Sequence, residues 1–199
     1  PIPTDLKFDG NVVWQLEDDN RIYMIHSERD GVFADHLETE IKSNLFIFIS
    51  RHSAASGRPA LLVHATGNWS KKTLGGEDYE LSYTSARALR LGLEHLQQMH
   101  DEYELINYTV NIEVTHHGPT KLKTPLIFME LGSTAEQWVE KIPARAVGEA
   151  ALKTAKTFLS NEVNYESCIG VGGNHYAYRF HRYLRETYNI AVGHIAPKY

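Results

Sequence analysis

Eleven histidines in 199 residues are many, and their placement matters more than their number. Five of them stand in short polar, turn-rich segments: Arg51-His52-Ser53, His64-Ala65-Thr66-Gly67-Asn68, Thr115-His116-His117-Gly118-Pro119-Thr120 and Gly172-Gly173-Asn174-His175-Tyr176. A further segment of this kind, Glu130-Leu131-Gly132-Ser133-Thr134, adds a carboxylate. Imidazoles with a carboxylate can hold a divalent metal such as zinc, or can take up and deliver protons near neutral pH. A single histidine at a strand end is more often a satisfied turn residue. Five of them, grouped with hydroxyls, are hard to explain by packing.

The other motifs narrow the chemistry. No H-E-x-x-H spacing is present, so any metal must be gathered from separate segments. His116-His117 can reach one ion only if the backbone turns there, and Gly118-Pro119 supplies a turn. Ser53 and Ser133 lack the G-x-S-x-G elbow of a serine hydrolase, and Ser133 reads better as a helix cap. Gly170-x-Gly172-Gly173 resembles half of a dinucleotide fingerprint, but His175 stands where the third glycine belongs. What is left is a glycine turn before a helix, a setting whose N–H groups suit a phosphate or an oxyanion. Arg179, Arg182 and Arg185 recur every three residues on that helix. They read equally well as a solvated face with an Arg182–Glu186 pair and as a stripe that tracks phosphates. Cys168 lies inside an apparent strand and is expected to be a buried, inert thiol.

The elements that must carry these segments alternate between strand and helix. Strands are expected at Arg21–His26, Leu45–Ser50, Ala60–Ala65, Asn107–Val114, Leu126–Glu130, Ser167–Val171 and Ile190–Val192. Helices are expected at Ala34–Lys42, at Ser85–His100 with Ala86, Leu89, Leu93 and Leu96 on one face, and from Ser133 or Thr134 to about Lys141. Two more follow, Ala144–Leu159 behind Pro143, and one from the glycine turn to about Glu186. The alternation implies a three-layer α/β/α fold with a mixed, mostly parallel sheet, Tyr108–Val114 being the candidate antiparallel member. Parallel strands would deliver the polar segments to one rim, where open α/β sheets place their ligands. No repeat or linker divides residues 1–199, which read as a single domain.

Composition sets the outer bounds. The 42% hydrophobic and 23% charged content is that of an ordinary globular protein. The longest apolar run, Leu45–Ile49, is too short to span a membrane. One cysteine makes no internal disulfide, and Pro1-Ile2-Pro3-Thr4 has no signal-peptide pattern, so a cytoplasmic protein is expected. A net charge of −5 argues against a general nucleic-acid binder. Residues 1–50 carry a net −6, however, and residues 172–199 a net +3, so contact with a polyanion should use the C-terminal end.

The segments also resemble a known family, the archaeal and plant type of D-aminoacyl-tRNA deacylase. The resemblance rests on Ser50-Arg51-His52-Ser53, Ser56-Gly57-x-Pro59, Val63-His64-Ala65-Thr66-Gly67-Asn68, Glu113-Val114-Thr115-His116-His117-Gly118-Pro119-Thr120, Glu130-Leu131-Gly132-Ser133-Thr134 with Trp138, Gly172-Gly173-x-His175-Tyr176-Ala177 and Gly193-His194-Ile195. These run in family order from about residue 8 to the C-terminus. The chain looks shortened at both ends relative to the family. It also departs from the family's usual Gly or Pro at 174, Pro at 178 and Thr at 181, with Asn174, Tyr178 and His181.

The resemblance implies a phosphorylase/hydrolase-like fold, zinc, a monomer without an obligate protein partner, and cleavage of the ester between a D-amino acid and tRNA. On that implication His116, His117, His175 and Glu130 are the catalytic candidates, and the metal candidates are His116, His117, His175, His52 and His64. Substrate contacts fall to His52, Ser53, His64, Thr66, Asn68, Gly172, Gly173, Tyr176, Arg179 and Arg182, with Thr66, Asn68 and the N–H groups of Gly173 and Asn174 as oxyanion donors. Two other readings use the same residues: a metal-dependent hydrolase of another small ester or amide, and a silent relative that binds the tRNA end.

Overall fold

The structure is a computed structural model that describes residues 1–37, 41–160 and 162–199. It begins with an element that the sequence reading left unassigned, an antiparallel hairpin of β1 (Ile2–Phe8) and β2 (Asn11–Gln15), extended by β3 (Tyr23–Met24). Asp9-Gly10 forms its two-residue turn with φ of 49° and 80°, the positive values that a type I′ turn requires. The expected strand Arg21–His26 shrinks to β3. The expected helix Ala34–Lys42 includes residues 38–40, which lie outside the described residues.

The apolar runs become a four-stranded sheet of β4 (Phe46–Arg51), β5 (Ala60–His64), β6 (Thr109–Ile112) and β7 (Leu126–Gly132), in the order β4-β7-β5-β6. β4 is parallel to β7 and β6 to β5, while β5 and β7 are antiparallel. The fold is therefore mixed α/β with mostly parallel pairing, as the sequence indicates. The antiparallel junction lies between β5 and β7 and not at β6. That junction also corrects the expectation of a single rim. β4 and β7 point one way and β5 and β6 the other, so the polar segments do not share one edge of the sheet. They meet on one face of it.

Strand alternation shows how. One face carries Leu61, Val63, Val110, Ile112, Ile127, Met129 and Leu131 into the main core, beneath α1 (Ala86–Glu102) and the helices that follow β7. These are α2 (Ala135–Trp138), capped by Thr134 with Gln137, and α3 (Lys141–Ser160), with buried Pro143 in its first turn. The opposite face changes character along the strands. Phe46, Leu126 and Phe128 pack with Phe8, Val13, Leu37 and Leu122 beneath the hairpin. The next residues in the same phase are Ser50, His52 and Glu130, level with Leu62 and Asn111 on the neighbouring strands, while His64 lies beside Phe128.

A parallel pair, β8 (Glu166–Val171) and β9 (Ile190–Ala196), completes the strands, with α4 (Tyr178–Glu186) between them in sequence. Thr115 N–H donates to Ile195 O and ties β9 to the end of β6. Among the described residues β8 pairs with β9 alone, and Cys168 on it is exposed, which corrects the expectation of a buried thiol. α4 begins at Tyr178, so the glycine turn does not open directly into a helix N-terminus.

Two arginines of α1 hold the outer elements in place. Arg87 donates to Thr157 O, Phe158 O and Val163 O at 3.0, 2.8 and 2.6 Å, closing the C-terminal end of α3. Arg90, 6% exposed, donates to Glu94 Oε1 at 2.5 Å and to Leu184 O in the last turn of α4, and lies over the Tyr165 ring. Cations at helix C-termini meet unpaired carbonyls and the negative end of the dipole. Arg90→Ala should therefore cost about 3 kcal/mol, because it leaves buried carbonyls unpaired as well as losing the charge-assisted bonds. A urea titration checks this: the midpoint should fall with the slope unchanged, and an unmoved midpoint would show that the clamp contributes nothing.

Candidate active site

The polar half of the sheet face holds two carboxylates and five imidazoles. Glu130, in mid-β7, is 4% exposed and Glu113, just past β6, is 1% exposed. Ser50 Oγ donates to Glu130 Oε1 at 2.5 Å, which turns the other oxygen toward His52 Nδ1 at 3.3 Å and His64 Nε2 at 3.4 Å. His52 Nδ1 also lies 3.6 Å from Glu113 Oε2, and His175 Nε2 lies 3.0 Å from Glu113 Oε1. Neither Glu113 oxygen is aligned for a hydrogen bond.

Position 132 lets His52 reach this place. A Cβ added to Gly132 would fall 2.8 Å from the His52 ring and 2.9 Å from its Cβ, so only glycine permits the imidazole to lie across β7. The His52 main chain is fixed as well, since its N–H donates to Leu131 O and its carbonyl accepts from Trp138 Nε1 at 2.8 Å. Tyr176 Oη is 3.2 Å from His52 Nε2.

The remaining imidazoles form a second group. His64, His116 and His117 direct Nδ1 at the main-chain carbonyls of Ala65, Val114 and Gly118, at 3.1, 2.7 and 2.6 Å. A carbonyl only accepts, so each Nδ1 carries a proton; the neutral rings of His116 and His117 keep their lone pairs on Nε2, whereas His64 Nε2 faces the Glu130 carboxylate and would have to give up its proton to a metal. The rings crowd together, tilted or edge-on, with centroids 4.2 Å apart for His64 and His116, 4.5 Å for His116 and His117, and 4.9 Å for His64 and His117. His117 has φ of 45°, an uncommon left-handed value that turns its ring beside that of His116. The turn is braced by Gly67 N–H on His117 O, Thr66 Oγ1 on Pro119 O and Gly118 N–H on Leu74 O.

Electrostatics divides the histidines into two kinds. Burial disfavours the charged forms of His52 and His64, but the adjoining Glu130 and Glu113 outweigh it, and both pKa values are raised. Burial also opposes the Glu130 anion. The contacts from His52 and His64 and the Ser50 hydroxyl outweigh that in turn, and Glu130 is held well below the usual carboxylate range. Burial, reinforced by the charge of His64, pushes His116 well down and His117 to about 4. His116 and His117 are thus neutral at pH 7, the state in which imidazole ligates a metal.

Among the described residues, three sets of donor atoms converge within 4.8 Å: His64, His116 and His117; His52, Glu113 and His175; and His64, Glu113 and Glu130. The donor chemistry fits zinc. Imidazole and carboxylate are its ligands, and protons on Nδ1 held by carbonyls are the outer contacts that fix a ligating tautomer.

The structure gathers every histidine expected from the sequence, together with Glu130 and Tyr176. It places others differently. Thr66 and Asn68 spend their donors on loop carbonyls, with Asn68 Nδ2 on Gly75 O and Glu77 O at 3.1 and 3.0 Å. Gly172 donates its N–H to Ala196 O. Ser53 is exposed beside His52. Arg179 and Arg182 lie on exposed α4, where Arg182 Nε pairs with Glu186 Oε1 at 3.0 Å. Glu113 and Ser50 were not among the expected site residues. Their signal was a polar residue in the inward-facing phase of β4 and of the β6 segment, the two edge strands of the sheet.

Among known proteins, the D-aminoacyl-tRNA deacylase family model matches residues 39–199. A D-aminoacyl-tRNA deacylase of Pyrococcus furiosus is 34% identical, over 98% of this chain and 70% of that protein. One from Thermococcus kodakarensis is likewise 34% identical over 98% of this chain and 70% of its own length. One from Methanosarcina acetivorans is 35% identical over 91% of this chain and 60% of its own length. A crystal structure of a conserved protein of unknown function superposes with a TM-score of 0.86 at 29% identity, covering 99% of this chain and 67% of that one. With a family match across most of its length and these relatives along nearly all of it, the chain belongs to the D-aminoacyl-tRNA deacylase family.

Proposed function

We propose that this protein hydrolyses the ester between a D-amino acid and the 3′ end of tRNA, using zinc, as a monomeric cytoplasmic enzyme in which residues 1–199 form a single domain. The observation that carries the reading is the convergence of the His64, His116 and His117 ring nitrogens within 4.8 Å, beside two buried carboxylates on one sheet face. His64, His116 and His117 would hold one zinc ion, and His52, Glu113 and His175 offer a second donor set. A zinc ion there would supply Lewis acidity and water activated at neutral pH.

The protein's own groups supply the rest. An aminoacyl ester is already labile, so the enzyme needs only to position water, remove its proton and stabilise an oxyanion. His175 is the most accessible imidazole of its group, with 38% of its side chain exposed, so it faces the incoming ester. With Nε2 directed at Glu113, its Nδ1 is the atom that takes the proton from water and returns it to the departing ribose hydroxyl. Glu113, 3.0 Å from that ring, balances its charge. Glu130, held by Ser50, does the same for His52 and His64. The N–H groups of Gly173 and Asn174, beside His175, are the proposed oxyanion donors. Arg179 and Arg182 receive the terminal tRNA phosphates, and the choice of D over L is steric.

Hydrolysis of D-tyrosyl-tRNA beside L-tyrosyl-tRNA, with added zinc, tests this reading. Rapid loss of the D ester alone is expected. Loss of both esters would remove chiral selection, and no loss above background from a folded sample would overturn the activity. His116→Ala should lower turnover by roughly 10²-fold or more while far-UV circular dichroism stays unchanged, and near wild-type turnover would remove His116 from the mechanism. Gly132→Ala should lower kcat by roughly 10- to 100-fold by displacing the His52 ring. Retained kcat would show that the position of His52 is not critical.

A further inference from the structure

One exposed aromatic side chain adjoins the site without belonging to it. Tyr178, the first residue of α4, is 51% exposed. Its ring lies 5.8 Å from that of Tyr176 at an interplanar angle of 33°. The Tyr176 ring in turn lies 5.5 Å from His175 and 5.9 Å from His52. Tyr178 is therefore two ring contacts from the reacting centre, with a face open to solvent. Beyond it, a depression of about 370 Å³ runs along α4 past His181, Arg182, Arg185 and Glu186. His181 adds no charge there: Nδ1 meets Asn111 Oδ1 at 3.0 Å, and burial, aided by Arg185, pushes its pKa down to about 4. The cations of the depression are Arg182 and Arg185.

An aromatic ring beside guanidinium groups is the arrangement that holds single-stranded nucleic acid, with bases stacking on the ring and phosphates meeting the cations. We infer that Tyr178 is the platform on which the terminal adenine of the tRNA stacks, so that the preceding phosphates run along Arg182 and Arg185. This inference rests on the deacylase reading, because the ester is carried by that terminal nucleoside. A base on Tyr178 places its ribose over Tyr176 and its ester toward His175. The occupant is a nucleobase and not an apolar side chain, since two guanidinium groups line the depression beside the ring and, of the two, only Arg182 is paired with the Glu186 carboxylate.

Two readings of Tyr178→Ala, Tyr178→Phe and Tyr188→Ala test the inference. The first is direct binding of the trinucleotide CCA by isothermal titration, which needs no turnover and so is separate from the fate of the deacylase reading. The second is steady-state deacylation of D-tyrosyl-tRNA. Tyr178→Ala should weaken CCA roughly 5- to 150-fold, the loss of one base–aromatic stack, and raise KM by a similar factor with the change falling on KM and not on kcat. Tyr178→Phe, which keeps the ring, should restore both readings. Tyr188→Ala, which removes a ring 87% exposed beyond the far end of α4, should leave both at wild-type values. The platform is overturned if wild-type protein does not bind CCA, if Tyr178→Ala binds it as wild-type does, or if Tyr188→Ala weakens it equally.

Discussion

Glu113 and Glu130 lie on the same sheet face at 1% and 4% exposure, and two carboxylates buried so close together persist only where positive charge meets them. That requirement governs the surroundings. His52 and His64 carry the nearest compensating protons, Ser50 fixes which Glu130 oxygen faces them, and Gly132 removes the one Cβ that would keep His52 away. Loss of one partner of a buried pair typically costs about 3–5 kcal/mol, so the face is a single electrostatic unit and not a set of separable contacts. His116 and His117 lie at its margin as neutral rings, because a further charge beside His64 would repel it. A divalent cation among the three Nε2 atoms would complete the compensation, which is why the arrangement suits zinc.

Much of this was legible in the sequence, and the losses have physical reasons. The five histidines and Glu130 stood out because imidazoles were concentrated in turn-rich segments after apolar runs. Their meeting place was misread, because strand direction is a non-local property and the antiparallel β5–β7 junction leaves no mark on either strand. Glu113 is hidden because Asn107–Val114 alternates, with Tyr108, Val110, Ile112 and Val114 in one phase, and such alternation ordinarily leaves the other phase in water. β6 in fact lies beneath α4 and the 175–177 segment, with Ala177 N–H donating to Ile112 O. The roles of Arg87 and Arg90 leave no local mark in the sequence, since the carbonyls they close lie some seventy or more residues away. The Asp9-Gly10 hairpin was readable from its turn pair, but β1 and β2 lack clean alternation, with a register shift between Pro3 and Lys7.

The molecule also separates its charge. The N-terminal quarter is acidic and packs its hairpin over the apolar half of the functional face, whereas the basic residues of α4 flank the polar half. A polyanionic substrate is thereby repelled from one end of the face and drawn to the other. The same division explains why a chain of net charge −5 can belong to a family named for a tRNA substrate. Binding needs a local cationic stripe, not a basic protein.

On the proposed zinc reading, the buried face has the donors for a divalent cation. Isothermal titration of zinc into folded, chelator-treated protein should then show at least one zinc bound per chain, with release of protons from the imidazoles and loss of that binding in His117→Ala. A folded protein that takes up no zinc, in which His117→Ala changes nothing, would contradict that reading.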